Sequence, residues 1–242
     1  MSIENTGVSR EFGEEIKPNI QARLGNEDDI PRCVEICNQA WGGIFTANKE
    51  MLIDRYEKFP QGFVVGMVDG IVEGYCNFQL SNELGSDKNQ LEHINTWNKA
   101  TGGGRMKQSH NPNGDWIMGV GMAVSKSGSE KGVTKQIVNF GKNYMEKENK
   151  KGCYFAIRSC GYEKAVQEKR IKSPEEYSME QDLEFRLWRR YGFELVKDSQ
   201  DKPIFFENYV TNSEGVQGDG DPKSKGYAFL IRLDNKNYKN NL

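Results

Sequence analysis

The stretch Trp116–Met145, WIMGVGMAVSKSGSEKGVTKQIVNFGKNYM, constrains the fold of this chain more than any other. Trp116 to Val124 carries no charge, which is the composition of a strand covered on both faces. A loop holding Gly128 and Gly132 ends it. Beyond the loop, Val133, Ile137, Phe140 and Tyr144 fall at i, i+4, i+7 and i+11, so they share one face of a helix that can pack back on the strand. The helix is expected to start near Lys131. A strand running into a glycine-containing loop and a helix N-terminus gathers unpaired N–H groups and a positive dipole end, which together form a phosphate site.

The flanking segments place this unit inside one α/β domain. Ile20 to Leu24 reads as a strand, and Asn26-Glu27-Asp28-Asp29 offers cap oxygens to a helix with Pro31 near its start and Ile30, Val34, Cys37 and Trp41 on one face. A second helix is expected over Lys49–Glu57. Strands at Gly62–Val68 and Ile71–Leu80 are joined by Asp69-Gly70, a two-residue hairpin signal. Residues 81–115 hold His93, Trp97, a TGGGR run at Thr101–Arg105 and HNPNGD at His110–Asp115. This long insertion is read as a loop overhanging the cleft beside the central strand. Its glycine run neither follows a strand nor opens a helix, which argues against a phosphate cradle. Cys153–Arg158 reads as a further strand, Ser173-Pro174-Glu175-Glu176 as a helix start, and Leu183–Val196 as a helix ended by Gly192 and followed by a strand. Two closing strands are expected at Ile204–Val210 and Tyr227–Leu233. Residues 1–18 are polar and aperiodic and read as a flexible arm, leaving 19–242 as a single domain.

Composition excludes several classes. A net charge of -2 gives no drive toward nucleic acid or an anionic membrane. The first residues lack an apolar signal core and no run approaches the roughly 20 apolar residues of a membrane span, so a cytoplasmic location is expected. Five cysteines without a paired framework and two histidines suggest neither a disulfide scaffold nor a metal site.

Strand, loop and helix in the central stretch resemble the acetyl-CoA-binding motif of the GNAT superfamily of N-acetyltransferases: Arg or Gln, two residues, Gly, one residue, then Gly or Ala. In register these positions are Ser129, Glu130, Lys131, Gly132, Val133 and Thr134, of which only Gly132 matches. The resemblance extends to the hairpin VVGMVDGIVEGY, to LEFRLWRRYGFELV with its Gly-Phe-Glu, to His110-Asn-Pro-Asn-Gly before the central strand and to the GYAFL run. It is similar in these features to GNAT domains found alone or joined to a carbon-nitrogen hydrolase domain. The resemblance implies a GNAT-like α/β fold: a strongly twisted mixed sheet of six or seven strands flanked by helices, with a long insertion before the central strand. It also implies a cosubstrate, acetyl-CoA. Its pyrophosphate would lie on the main chain of Ser129 to Thr134 and its arm along Met122, Ala123 and Val124, with Gln181 where the family often has a CoA-contacting Asn.

The same resemblance implies acyl-CoA-dependent N-acyltransfer, an acetyl group passing from acetyl-CoA to a primary amine by direct attack. The family's acid tyrosine falls at Trp188, whose indole is no useful proton donor. Tyr191 is then the fallback acid. With Gly121 and Met122 in the inward-turning middle of the central strand, a base has to come from the insertion, and His110 and Asp115 are the candidates. The expected partners are a CoA thioester and an unidentified amine, with a homodimer open and nucleic acid and membrane excluded. The alternative is a non-catalytic GNAT-like module that binds CoA, another ligand or a protein.

Overall fold

Asp69 and Gly70 have φ of 50° and 83°, the left-handed pair that a two-residue hairpin turn requires and that glycine adopts without strain. The turn joins β2 (Phe63–Val68) to β3 (Ile71–Ser81). The structure, a computed structural model, describes residues 17–41, 46–84, 88–172, 176, 177, 180, 182–209 and 223–240. Most of the expected arm, the segment 173–175 and Gln181 lie outside these. No helix among the described residues is long and apolar enough to cross a membrane.

In chain order the other elements are β1 (Ile20–Leu24), α1 (Ile30–Trp41), α2 (Lys49–Lys58), α3 (Trp97–Thr101), β4 (Trp116–Val124), α4 (Lys126–Lys131), α5 (Val133–Lys147), β5 (Gly152–Arg158), α6 (Tyr162–Gln167), α7 (Leu183–Arg190), β6 (Glu194–Leu195), β7 (Phe205–Phe206) and β8 (Ala228–Asp234). Among the described residues the sheet is mixed and has eight strands, in the order β1-β2-β3-β4-β5-β8-β6 with β7 also on β8. The count exceeds the expected six or seven because the closing region contributes the two-residue strands β6 and β7. Among the described strands only β4 and β5 pair in parallel.

Helices cover both faces. On one, α5 buries Val133, Ile137, Val138 and Met145. Gly66 on β2 admits it, since a Cβ there would lie 2.5 Å from Val133 and 2.9 Å from Ile137. On the other, Ile30, Cys33, Ile36 and Cys37 of α1 and Leu52 of α2 pack on Val65, Met67, Tyr75 and Ala123. Each such buried aliphatic side chain contributes about 1.5–3 kcal/mol. Asn26 caps the 3-10 turn before α1 in a reciprocal pair with Asp29, whose carboxylate also takes two hydrogen bonds from Arg23.

Two expectations need correction. The insertion is a packed layer, with a 3-10 helix over Lys88–Ile94 and α3 burying Leu91, Ile94 and Ala100 against Trp116, Met118 and Tyr154. Its Gly102, Gly103 and Gly104 all have positive φ and reverse the chain after α3. The loop after β4 is the short helix α4, capped by the Ser125 hydroxyl on the Gly128 N–H, and Gly132 at φ 92° separates it from α5.

Candidate functional site

The sheet is two half-sheets joined over three residue pairs. β4 and β5 pair at Trp116↔Gly152, Ile117↔Cys153 and Met118↔Tyr154 and no further. Both strands continue, β4 to Val124 still paired with β3 and β5 to Arg158 still paired with β8. The divergence begins where Val120 forms a bulge, because Asn77 opposes Gly121 while Phe78 opposes Gly119. An extra residue bends a strand and changes which side chains face which way. Ile117 and Gly119 before the bulge, and Met122 after it, line a cavity under α5, whereas Gly121 turns the other way, toward Arg55. Gly121 and Met122, grouped together in the sequence reading, thus face opposite sides.

On the α1 side, indoles reach two carbonyls of the splayed half of β4. Trp41 Nε1 donates to the Met122 carbonyl at 3.1 Å and Trp97 Nε1 to the Val120 carbonyl at 3.2 Å. The Arg158 guanidinium at the end of β5 lies 4.5 Å above the Trp41 ring. Trp41, the last residue of α1, therefore touches both diverging strands.

Behind this face runs a buried polar stripe on β3 formed by Tyr75, Asn77, Gln79 and Ser81. Gln79 donates to the Ala100 carbonyl and accepts from Ser109, and Tyr154 donates to Ser81 at 2.6 Å. Arg55 of α2 is 2% exposed; it donates to the Gly104 carbonyl at 2.6 Å and to Asn77 Oδ1 at 3.1 Å. Both acceptors are neutral, and burial pushes the Arg55 pKa down. The stripe was readable in the sequence as alternation in YCNFQLS, but alternating polar residues look like a solvent face until the insertion is known to cover them.

The expected phosphate loop is partly spent on its own structure. The Ser129 N–H bonds the Ser125 carbonyl and the Gly132 N–H the Ser129 carbonyl, while Glu130 and Lys131 lie within α4. Val133 and Thr134 open α5, whose first turn carries no acidic residue. Met122 and Val124 pack toward Val133 and Ile137, and Ala123 packs on α1.

The expected acid and bases lie elsewhere. His110 stacks on Phe59 with ring centroids 4.6 Å apart, and its Nδ1 accepts from the Leu80 N–H. Burial, with Lys58 and Lys150 nearby, lowers its pKa, which favours the neutral ring. Asp115 binds Lys151 at 2.6 Å just before β4, at the paired end of the two strands. Tyr191 is the C-cap of α7 and packs against Trp188, which contacts Phe155 and Phe193. The structure brings none of the three to the splayed half of β4. Burial raises the Cys76 thiol of β3 to about 12 and leaves it protonated at neutral pH. Among the described residues no cluster of His, Cys, Asp and Glu forms a metal site.

No protein-family profile and no curated protein matches the chain. Solved structures do. The GphF GNAT-like decarboxylase in complex with isobutyryl-CoA superposes with a TM-score of 0.67 at 14% identity, covering 88% of this chain and 98% of that one. The loading GNATL domain of CurA from Lyngbya majuscula gives 0.66 at 13%, covering 89% and 98%. The ribosomal-protein-S18-alanine N-acetyltransferase of Escherichia coli gives 0.55 at 11%, covering 93% and 99%. At such identities the likeness is one of fold.

Proposed function

We propose that this chain, whose fold is that of the GNAT N-acyltransferases, passes the acyl group of a CoA thioester to a primary amine by direct attack. The observation that carries the reading is the splay, since two strands that give up their mutual hydrogen bonds leave backbone groups facing the gap, of which the Met122 and Val120 carbonyls accept from the Trp41 and Trp97 indoles. In this reading the pyrophosphate sits at the α5 end around Gly132, Val133 and Thr134, and the arm follows Met122, Ala123 and Val124. The thioester lies beside the Val120 bulge, and the amine enters from the α1 side past Trp41 and Arg158. The free amine forms the new N–C bond, the C–S bond breaks, and the amine's surplus proton goes to water. No acid is needed at position 188, because a thiol of pKa near 8.5 leaves as thiolate close to neutral pH. Holding the reactants in line supplies a large share of such a barrier, about 7–11 kcal/mol in favourable cases.

The test is release of free thiol from acetyl-CoA across a panel of amines, paired with calorimetry. Saturable binding with amine-dependent release supports the reading. Binding without release favours a non-catalytic CoA module, and no binding removes both.

A second reading is favoured by Arg55, a buried cation whose protein hydrogen bonds go to neutral acceptors close to Gly121. A CoA thioester bearing a carboxylate would supply the counter-charge, and its loss as carbon dioxide is the type of activity named for the GphF structure. Carbon dioxide release from malonyl-CoA without added amine distinguishes it from N-acyl transfer.

A further inference from the structure

The buried stripe of α5 has a gap in the middle. Ile137, Val138 and Met145 are buried against the sheet, and Gly141, one turn from both Ile137 and Met145, is the residue between them. A Cβ built at Gly141 meets no atom within 4 Å. Glycine inside a helix costs about 1 kcal/mol relative to alanine, so its presence on a core-facing position leaves space that a side chain would otherwise fill. The space is real: a cavity of about 70 Å³ lies there, lined by Gly141, Phe78, Ile117, Gly119, Phe155 and Leu233 among others. Its lining, Lys142 apart, is nearly all apolar, a surface that accepts apolar ligands.

The cavity's lining reaches the splayed halves of β4 and β5, where the proposed function places the thioester. Gly119 and Met122 of β4 and Phe155 of β5 lie beyond the last β4–β5 pair, Met118↔Tyr154, and all three line it. Ile117 and Cys153, which also line it, belong to the paired end. The cavity thus lies along the apex of the splay, beside Gly141.

We infer that this cavity receives the acyl chain, and that the chain's preferred donor is a CoA thioester of a short apolar acid of roughly four or five carbons rather than acetyl-CoA. The volume sets the length: a cavity of about 150 Å³ holds a benzene ring, so one of about 70 Å³ takes roughly three carbons beyond the two that remain in the slot. An acetyl group would leave the cavity empty, whereas an eight-carbon chain would exceed it. The inference rests on the reading that a CoA thioester occupies the splay.

The test measures the dissociation constants of acetyl-, butanoyl- and octanoyl-CoA for the wild-type chain and for Gly141→Ala and Gly141→Leu. The wild type is expected to bind butanoyl-CoA at least tenfold tighter than acetyl-CoA and octanoyl-CoA more weakly than butanoyl-CoA. Gly141→Leu is expected to reduce the butanoyl-to-acetyl preference at least tenfold, and Gly141→Ala partially. Both substitutions add helix propensity and fill a void, so their melting temperatures should not fall, which separates a lost preference from lost folding. If all three donors bind the wild type alike and the substitutions change nothing, the acyl pocket is overturned while CoA binding stands. If no donor binds, both fall.

Discussion

The Arg158 guanidinium at the end of β5 lies 4.5 Å over the indole of Trp41, whose Nε1 donates to the Met122 carbonyl of β4 at 3.1 Å. One side chain from α1 thus spans the gap between strands that have ceased to pair.

Replacing Trp41 by Phe keeps a ring beneath Arg158 and removes the donor to Met122, a net loss of about 1 kcal/mol. In a domain of this size that corresponds to a fall of about 2–4 °C in melting temperature. If the amine enters here, kcat/KM for transfer should fall by about fivefold or more. An unchanged kcat/KM beside the lower melting temperature would confine Trp41 to packing.

The glycine run of the insertion gives a stability contrast. Gly103 at φ 67° has open space around a built Cβ, so Gly103→Ala should cost about 1–2 kcal/mol from left-handed strain alone. At Gly104, φ 78°, the added Cβ would lie 2.3 Å from the Trp97 ring. Gly104→Ala should therefore lower the melting temperature clearly further than Gly103→Ala. Equal losses would show that the packing of Trp97 on the reversal carries no stability.

His110 gives stability a pH dependence of determinate sign. Burial, then Lys58 and Lys150, place its folded pKa below the ordinary 6.5. The unfolded chain therefore takes up a proton first as pH falls, and stability contributed by the neutral ring is present above 6.5 and lost as pH drops through 6.5 toward the folded value. Chemical denaturation at pH 8 and pH 5.5 should show this loss in the wild type and a smaller one in His110→Asn. The same loss in both would assign the dependence to other groups.

Gly132 at φ 92° separates α4 from α5. Gly132→Val forces a β-branched residue into a left-handed conformation and should reorient the first turn of α5. At ligand about 100-fold above its dissociation constant, CoA binding should stabilise the wild type by about 2.7 kcal/mol, and this variant should lose most of that gain. Ser129→Ala should retain it, because the Ser129 side chain is not the proposed contact. Loss in both would point to a side-chain phosphate site.

The elements that read clearly from the sequence are those whose local period and packing agree. β4 coincides with the uncharged run Trp116–Val124 because a strand covered on both faces has no polar positions, and Asp69-Gly70 fixed the hairpin through its own φ angles. The misread parts depend on distant partners. α4 reads as a loop because of Gly128, yet that glycine is demanded by close packing: a Cβ there would lie 2.8 Å from the Glu73 carbonyl. The insertion reads as an overhanging loop because the surface that buries Leu91 and Ile94 is assembled from β4, β5 and the closing strands. Arg55, Trp41 and Arg158 went unrecognised as a group since nothing local marks an arginine that will be buried or a tryptophan that will meet a strand from the far end of the chain. His110 and Asp115 stand out by residue type, while the packing of Phe59 and the Lys151 pair decides their surroundings.

A crystal structure of the chain grown with millimolar CoA tests most directly whether the divergence of β4 and β5 is a CoA slot. The predicted result is a pantetheine arm between Gly119–Val124 of β4 and Phe155–Arg158 of β5, with the pyrophosphate at the first turn of α5. Density for CoA elsewhere, or an empty slot occupied only by Trp41 at that concentration, would contradict it.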